Sequence, residues 1–275
     1  MVTTLTLDSA MGVATVGFVR SRRSGPLPWE LLGVGDCSAT VRIVTLTVSR
    51  PHQGEFAWSV TIAPDVSRDA AAAGQIQEVI ADAESGESVQ LWIEQAADHD
   101  DAFAADLGFE PYRDLWRMQR PLPAPRATIA TRAFVPGADD EEFLAVNNRA
   151  FHWHPEQGGL TAADLAERMA EGWFDAEGFR LHERDGRLAG FCWTKVHPDE
   201  MPPAGEIYAI AVDPDFHGQG LGKPMTLAGL DHLSDRGLTE GFLFVESDNG
   251  PAVATYHRLG FDHRSTNRAY RHTVR

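Results

Sequence analysis

Cysteine is almost absent from this sequence: two residues in 275, Cys37 and Cys192. They form no disulfide framework and no metal-ligand spacing, and no base stands beside either, so both are expected to be buried small hydrophobes. That scarcity suits a reducing, cytoplasmic compartment. Also missing is any apolar run near the ~20 residues of a membrane span, and the N-terminus lacks the basic-then-apolar layout of a signal peptide. No membrane partner is expected. Basic charge is short as well: 24 Lys and Arg against 40 Asp and Glu, a net charge of −16. The deficit is even, with 9 basic and 17 acidic residues over 1–123 and 15 and 23 over 124–275, or −8 each. This argues against nucleic acid as a partner, since phosphate neutralisation needs a basic surface. An anionic ligand must be caught by local backbone donors rather than by the overall field. His152 and His154 sit close together but without a partnering Cys or carboxylate pattern, so no metal is expected.

What is present centres on Val212-Asp-Pro-Asp-Phe-His-Gly-Gln-Gly-Leu-Gly-Lys-Pro224. The apolar run Ile207 to Val212 reads as a strand. His217-Gly218-Gln219-Gly220-Leu221-Gly222 reads as a tight turn, and Leu227, Leu230 and Leu233 mark the helix that follows. Strand, glycine-rich turn and helix together suit a phosphate, because glycines leave consecutive N–H groups open and the helix dipole faces the anion. About thirty residues on, Phe242 to Asn249 reads as a second strand. A helix follows, with Pro251 in its first turn and Gly260 at its C-cap. Asn249 and Tyr256, seven apart, share one face of that helix.

These two patterns resemble the acetyl-CoA-binding core of the GNAT N-acyltransferases. The family's loop, (Arg or Gln)-x-x-Gly-x-(Gly or Ala), is matched at Gly220 and Gly222, with His217 departing from the usual Arg or Gln. Its second pattern, Asn-x-x-Ala-x-x-x-Tyr-x-x-x-Gly-Phe, is matched by Asn249, Ala252, Tyr256, Gly260 and Phe261. The resemblance implies an α/β fold with a mixed, mostly antiparallel sheet flanked by helices, and acetyl-CoA as co-substrate.

The chain also repeats itself. Trp58-Ser-Val-Thr-Ile-Ala-Pro64-Asp65 resembles Tyr208-Ala-Ile-Ala-Val-Asp-Pro214-Asp215, and Leu107-Gly-Phe109 matches Leu259-Gly-Phe261. Both halves end in alternating, strand-like tails, Tyr112 to Met118 and Ser265 to Thr273. Arg120-Pro-Leu-Pro-Ala-Pro-Arg126 between them is a stiff spacer. The expectation is two tandem GNAT-type domains, 1–123 and 124–275. The first lacks Gly-x-Gly after Pro64-Asp65, and the methyl groups of Ala70 to Ala73 would crowd a phosphate, so it is read as degenerate, supporting the fold and one wall of the cleft. In the second, Asp139 to Phe151 reads as a helix, Thr161 as the N-cap of another, and Phe179 to Val196 as a hairpin turning at Arg184-Asp-Gly186.

A narrower resemblance rests on His154-Pro-Glu-Gln-Gly-Gly159, Trp193-Thr-Lys-Val-His-Pro198, Gly205-Glu206-Ile-Tyr208 and Val245-Glu-Ser-Asp-Asn249. These segments are similar to a two-domain branch of the family that acetylates the cysteinyl amine of desacetylmycothiol, a cysteinyl-glucosaminyl-inositol, as the last step of mycothiol biosynthesis. The resemblance implies that Glu156, Lys195, Glu206 and Phe244 (where relatives carry Tyr) contact the acceptor. It implies that Ile210, Ala211 and Val212, the loop His217, Gly218, Gln219, Gly220, Leu221, Gly222 and Lys223, and the segment Asn249, Gly250, Pro251, Ala252, Val253 and Ala254 hold acetyl-CoA. Glu206 is the candidate base for the amine and Tyr256 the candidate acid for the leaving thiolate, with direct transfer expected and no covalent enzyme. A monomer is expected. Two alternatives stay open: an acetyltransferase for another small amine, such as an amino sugar or antibiotic, and a non-catalytic acyl-CoA-binding protein.

Overall fold

A computed structural model describes residues 6–7, 14–15, 46–51, 55–152 and 157–275. Cys37, His154 and Glu156 lie outside the described residues. In chain order the first half contains β1 (Thr6–Leu7), β2 (Ala14–Thr15), β3 (Thr47–Ser49), β4 (Phe56–Ile62), α1 (Ala70–Asp82), β5 (Ser88–Ile93), α2 (Asp98–Asp106) and β6 (Glu110–Pro121). The second half contains β7 (Arg132–Ala133), α3 (Asp140–Ala150), α4 (Ala162–Ala170), β8 (Phe179–Arg184), β9 (Arg187–His197), β10 (Ala204–Val212), α5 (Gly222–Asp235), β11 (Glu240–Glu246), α6 (Gly250–Arg258) and β12 (Asp262–Thr273).

Local chemistry accounts for most of these boundaries. Asp140, Glu141 and Glu142 stand in the first turn of α3, where they complement the dipole. Thr161 and Asp164 form a reciprocal capping box at α4. Asp185 and Gly186, at φ 55° and 73°, make the left-handed two-residue turn that a tight β8–β9 hairpin needs.

Among the described residues β1 and β2 pair only with each other, and the other ten strands form one sheet in the order β3-β4-β5-β12-β6-β11-β10-β9-β8-β7. Among the described residues only β4–β5 and β10–β11 are parallel. The order departs from two self-contained sheets at its centre. β6, the last strand of the first half, pairs with β11 from Leu115↔Glu246 to Pro121↔Glu240. β12, the last strand of the second half, pairs with β5 from Arg268↔Ile93 to Thr273↔Ser88, and with β6 on its other side. Each half thus completes its sheet with the other half's final strand. Arg120 and Pro121, read as the start of a spacer, are therefore sheet residues, and Leu122 N–H donates to Thr239 at 2.8 Å.

Helices cover both faces. On one face α5 and α6 pack Leu227, Leu230, Leu233 and Leu259 against Ile207, Leu243 and Val245. On the other, α3 and α4 cover an aromatic stack in which Phe134, Phe179 and Trp193 lie parallel, with centroids 4.4 Å apart at each step. Such stacking adds about 0.5–1.5 kcal/mol per pair beyond area burial. Gly229 lets α5 lie close on the sheet: a Cβ there would stand 2.7 Å from Ile207 Cδ1 and nearer still to Cys192 Sγ. Cys192 is fully buried, as expected of a small hydrophobe, and burial pushes its thiol up to about 12.

Candidate active site

The site begins where two parallel strands part. β10 pairs with β11 only at Gly205, Glu206 and Ile207, while its pairing with β9 continues to Val212. The register shifts between Ile207 and Ala209, so Tyr208 is an extra residue, and such a bulge bends a strand and increases its twist. Beyond it, alternate residues of 208–212 turn N–H and C=O groups into the gap rather than toward β9. An extended, amide-bearing ligand can complete those bonds.

At the far end of β10 lies the glycine loop. Asp213 is fully buried: its carboxylate caps the short 3-10 turn at Pro214–Phe216 by accepting from Asp215 N–H at 2.9 Å, and it is ion-paired with Arg149 of α3. His217, in place of Arg or Gln, turns its ring back so that Nε2 bonds the Val212 carbonyl at 2.9 Å. Gln219 Oε1 accepts from Arg184 at 2.6 Å. These side chains brace the loop and leave its backbone to a ligand. Gly218 and Gly220 have φ of 76° and 75°, and a Cβ on either, or on Gly222, would meet nothing within 4 Å. Leu221, the N-cap of α5, makes no side-chain cap, and Lys223 in the first turn is exposed. This helix start is open to an anion.

A cavity of about 260 Å³ runs through the gap between the strands. Glu206, Ile210, Phe244, Asn249, Ala252 and Tyr256 line it together, six of the residues proposed from sequence. Ala211, Val212 and the loop from His217 to Lys223 lie along and beyond the end of β10, while Gly250, Pro251, Val253 and Ala254 belong to α6. Asn249 caps that helix, accepting from Ala252 N–H at 3.3 Å, which fixes it on the cavity wall. Lys195 is not a solvated lysine. It is 7% exposed, with Nζ 4.8 Å from the Trp173 ring centroid and 5.9 Å from that of Tyr208.

Glu206 is 3% exposed and faces the cavity, and its Oε2 meets His197 Nε2 at 2.7 Å. Burial raises the Tyr256 phenol above its ordinary range, so it stays protonated at neutral pH. Burial likewise pushes Tyr208 up to about 12. Sequence reasoning missed the lining contributed by the exchanged strand β6: Leu115 and Arg113, whose guanidinium bonds Glu246 Oε1 through Nε at 2.7 Å and lies 5.3 Å from the Trp92 ring centroid. It also missed His197, although strand alternation puts that residue on the same face as Lys195.

Comparison with known proteins fits this geometry. The profile of the Acetyltransferase (GNAT) family matches residues 145–261. A mycothiol acetyltransferase from Catenulispora acidiphila is 44% identical over 260 residues, covering 91% of this chain and 80% of that protein. The chain belongs to the mycothiol acetyltransferase family. A family member from Streptomyces coelicolor is 47% identical over 199 residues, covering 69% of this chain and 63% of its own length, so the shared region is under two thirds of that relative. A GCN5-related N-acetyltransferase from Sphaerobacter thermophilus superposes with a TM-score of 0.60 at 20% identity, covering 79% of this chain and 73% of its own. A tandem GNAT protein from the clavulanic acid biosynthesis pathway gives 0.54 at 14%, covering 78% and 74%. Both share the fold. As a member of this family the chain is an acetyltransferase.

The equivalent place in the first half is built differently. β4 and β5 stay paired to their ends, Ile62↔Ile93, and no gap opens between them. The Asp69 carboxylate accepts from Ala71 and Ala72 N–H at 2.9 and 3.1 Å, occupying the start of α1 with the chain's own anion. Counting back eight from Pro64 and Pro214 aligns Phe56 with Glu206. α2 and α6 are both nine residues long, and each is followed by a glycine at φ near 80°, Gly108 and Gly260. That alignment sets Ala97 opposite Asn249 and Ala104 opposite Tyr256.

Proposed function

We propose that this chain transfers the acetyl group of acetyl-CoA to the cysteinyl amine of desacetylmycothiol, by direct attack, in the second half alone. The observation that carries the reading is the meeting of Glu206 and Tyr256 on one cavity at the parting of β10 and β11. The choice of acceptor rests on the family named above. Acetyl-CoA brings the activated acyl group. Backbone donors of the Gly218–Lys223 loop and the open start of α5 suit its phosphates, and the free edge of β10 suits its amides.

Glu206 takes the proton of the amine. An α-amine has a pKa near ~8, so neutralising it at pH 7 costs only about 1 kcal/mol, and a modest base suffices. A backbone N–H in 210–212 donates to the charge developing on the thioester oxygen. Tyr256, kept protonated by burial, hydrogen-bonds the leaving sulfur. Cys192, with its thiol near 12 and fully buried, is unsuited to an acyl-enzyme route. Phe244 lines the cavity with Arg113 of the first half, while Lys195, held over two aromatic faces, lies outside its lining, behind Tyr208.

The first half, with Phe56, Ala97 and Ala104 at the three decisive positions and no gap between its parallel strands, serves as scaffold and cleft wall in a duplicated, strand-exchanged fold. The test is thiol release from acetyl-CoA with desacetylmycothiol, beside free cysteine and glucosamine. Turnover confined to the full acceptor, lost in Glu206→Gln, supports the assignment. Binding of acetyl-CoA without turnover of any acceptor refutes it.

A further inference from the structure

We propose that His197 is the positioning residue of the candidate base, a role that rests on the reading of Glu206 given above. In the β9–β10 register Glu206 lies directly opposite Lys195, and His197 opposite Ala204, which makes His197 the diagonal neighbour of Glu206 on the same face. A glutamate beside a lysine in this arrangement has an obvious competing partner. Yet no ion pair joins Lys195 to Glu206 among the described residues; the ammonium lies over Trp173 and Tyr208. Glu206 is instead held from behind by His197, with Nε2 2.7 Å from Oε2, and the two side chains are 13% and 4% exposed. An ionised carboxylate only accepts, so Nε2–H is the donor.

The imidazole is itself fixed. Its ring lies 5.1 Å from that of Phe242, which is itself held by the Phe244 ring at 5.9 Å and the Arg117 guanidinium at 4.0 Å, and Arg117 is paired with Glu200 at 2.6 Å. His197 does not line the cavity, whereas Glu206 does. One carboxylate oxygen is thus committed to His197 and the other left for the amine. A free glutamate side chain loses rotamer entropy on being fixed; the ring contacts and hydrogen bond impose that order before the acceptor arrives.

The test compares His197→Phe and His197→Met, which cannot donate, with His197→Gln, which can, and with Glu206→Gln in parallel. The non-donors are expected to lower kcat roughly 10- to 100-fold, the scale of a misplaced catalytic group. KM for acetyl-CoA should stay within about twofold, and His197→Gln should recover most of the lost rate. Folded yield and melting temperature are read for each variant, and Met replaces Phe as the informative non-donor if Phe disturbs the Phe242 contact. If both non-donors keep wild-type kcat while Glu206→Gln is inactive, the positioning role is refuted and the base assignment survives. If His197→Gln is as slow as the non-donors, the donated hydrogen bond is not what matters and the role is again refuted. If Glu206→Gln turns over at the wild-type rate, the base assignment itself fails.

Discussion

The open glycine loop allows a test in which backbone strain and ligand contact separate. Gly220 and Gly237 both sit in the left-handed region, at φ 75° and 81°, and a Cβ on either would meet nothing within 4 Å. Alanine at each position should therefore cost the free protein the same backbone strain, roughly 1–2 kcal/mol. For a chain of this size that is a fall in Tm of about 2–8 °C, at 2–4 °C per kcal/mol. Only Gly220 belongs to the loop facing the open start of α5; Gly237 follows the other end of that helix. A methyl group on Gly220 keeps an anionic oxygen from the neighbouring N–H groups. A lost hydrogen bond to a charged group is worth about 1.5–3 kcal/mol, or about ten- to a hundred-fold in Kd. Calorimetric titration with acetyl-CoA should show that loss in Gly220→Ala and near-wild-type affinity in Gly237→Ala, with matched drops in Tm by scanning calorimetry. Equal affinity in the two variants would refute the assignment of this loop as the phosphate cradle.

Three further outcomes follow from the structure. One acetyl-CoA should bind per chain, read as titration stoichiometry; two would mean that the first half opens despite β4–β5 pairing and the Asp69 cap. With its thiol near 12, Cys192 is ionised to only on the order of one part in ten thousand at pH 8. Peptide mapping should therefore find it unalkylated by iodoacetamide until the protein is denatured, and rapid native labelling would contradict its burial. Burial, opposed more weakly by the Asp175 carboxylate, holds His232 below its ordinary range. The unfolded chain then binds the proton first, so this stability is complete above the unfolded pKa near ~6.5 and declines as pH falls below it. Between pH 7.5 and 5.5 the wild-type Tm should fall further than that of His232→Gln; parallel curves would refute the linkage.

Local signals made much of the second half legible. The glycine spacing found the loop, Asn249 and Pro251 found the start of α6, and the Thr161 cap and Asp185-Gly186 turn fixed boundaries, because each depends on residues a few positions apart. What was hidden depends on partners far along the chain. The aromatic cage of Lys195 was not legible because it needs Trp173, more than twenty residues away, and whether the end of β9 meets water or an aromatic cover is a tertiary fact. His197 shared a face with Lys195 by alternation alone, but its contact with Glu206 depends on the β9–β10 register. The tails of the two halves were recognised as strands, yet their exchange was not, since an alternating pattern names a face and not a neighbour. Arg113 entered the cavity unforeseen for that reason. In the first half the missing Gly-x-Gly was visible, while the Asp69 carboxylate at the start of α1 emerged only from the structure.

That closure explains why one topology can be kept twice with different consequences. Parting two parallel strands leaves backbone donors and acceptors without sheet partners, and each buried group left unmade costs about 1–3 kcal/mol. A sheet selected for stability alone keeps its strands paired, as β4 and β5 do to their last residues. β10 abandons β11 after Ile207, immediately beside Glu206, and the gap faces Asn249 and Tyr256. The destabilising geometry and the reactive side chains thus occur in the same half, and the paired geometry occurs where Phe56, Ala97 and Ala104 stand. The exchanged strands then bind the two together: β6 flanks the parted pair from the first half while β12 completes the sheet of the closed one. The two halves are therefore joined through their central strands, and the cavity at the parted pair is lined by residues of both, Arg113 and Leu115 from the first and Glu206 and Tyr256 from the second.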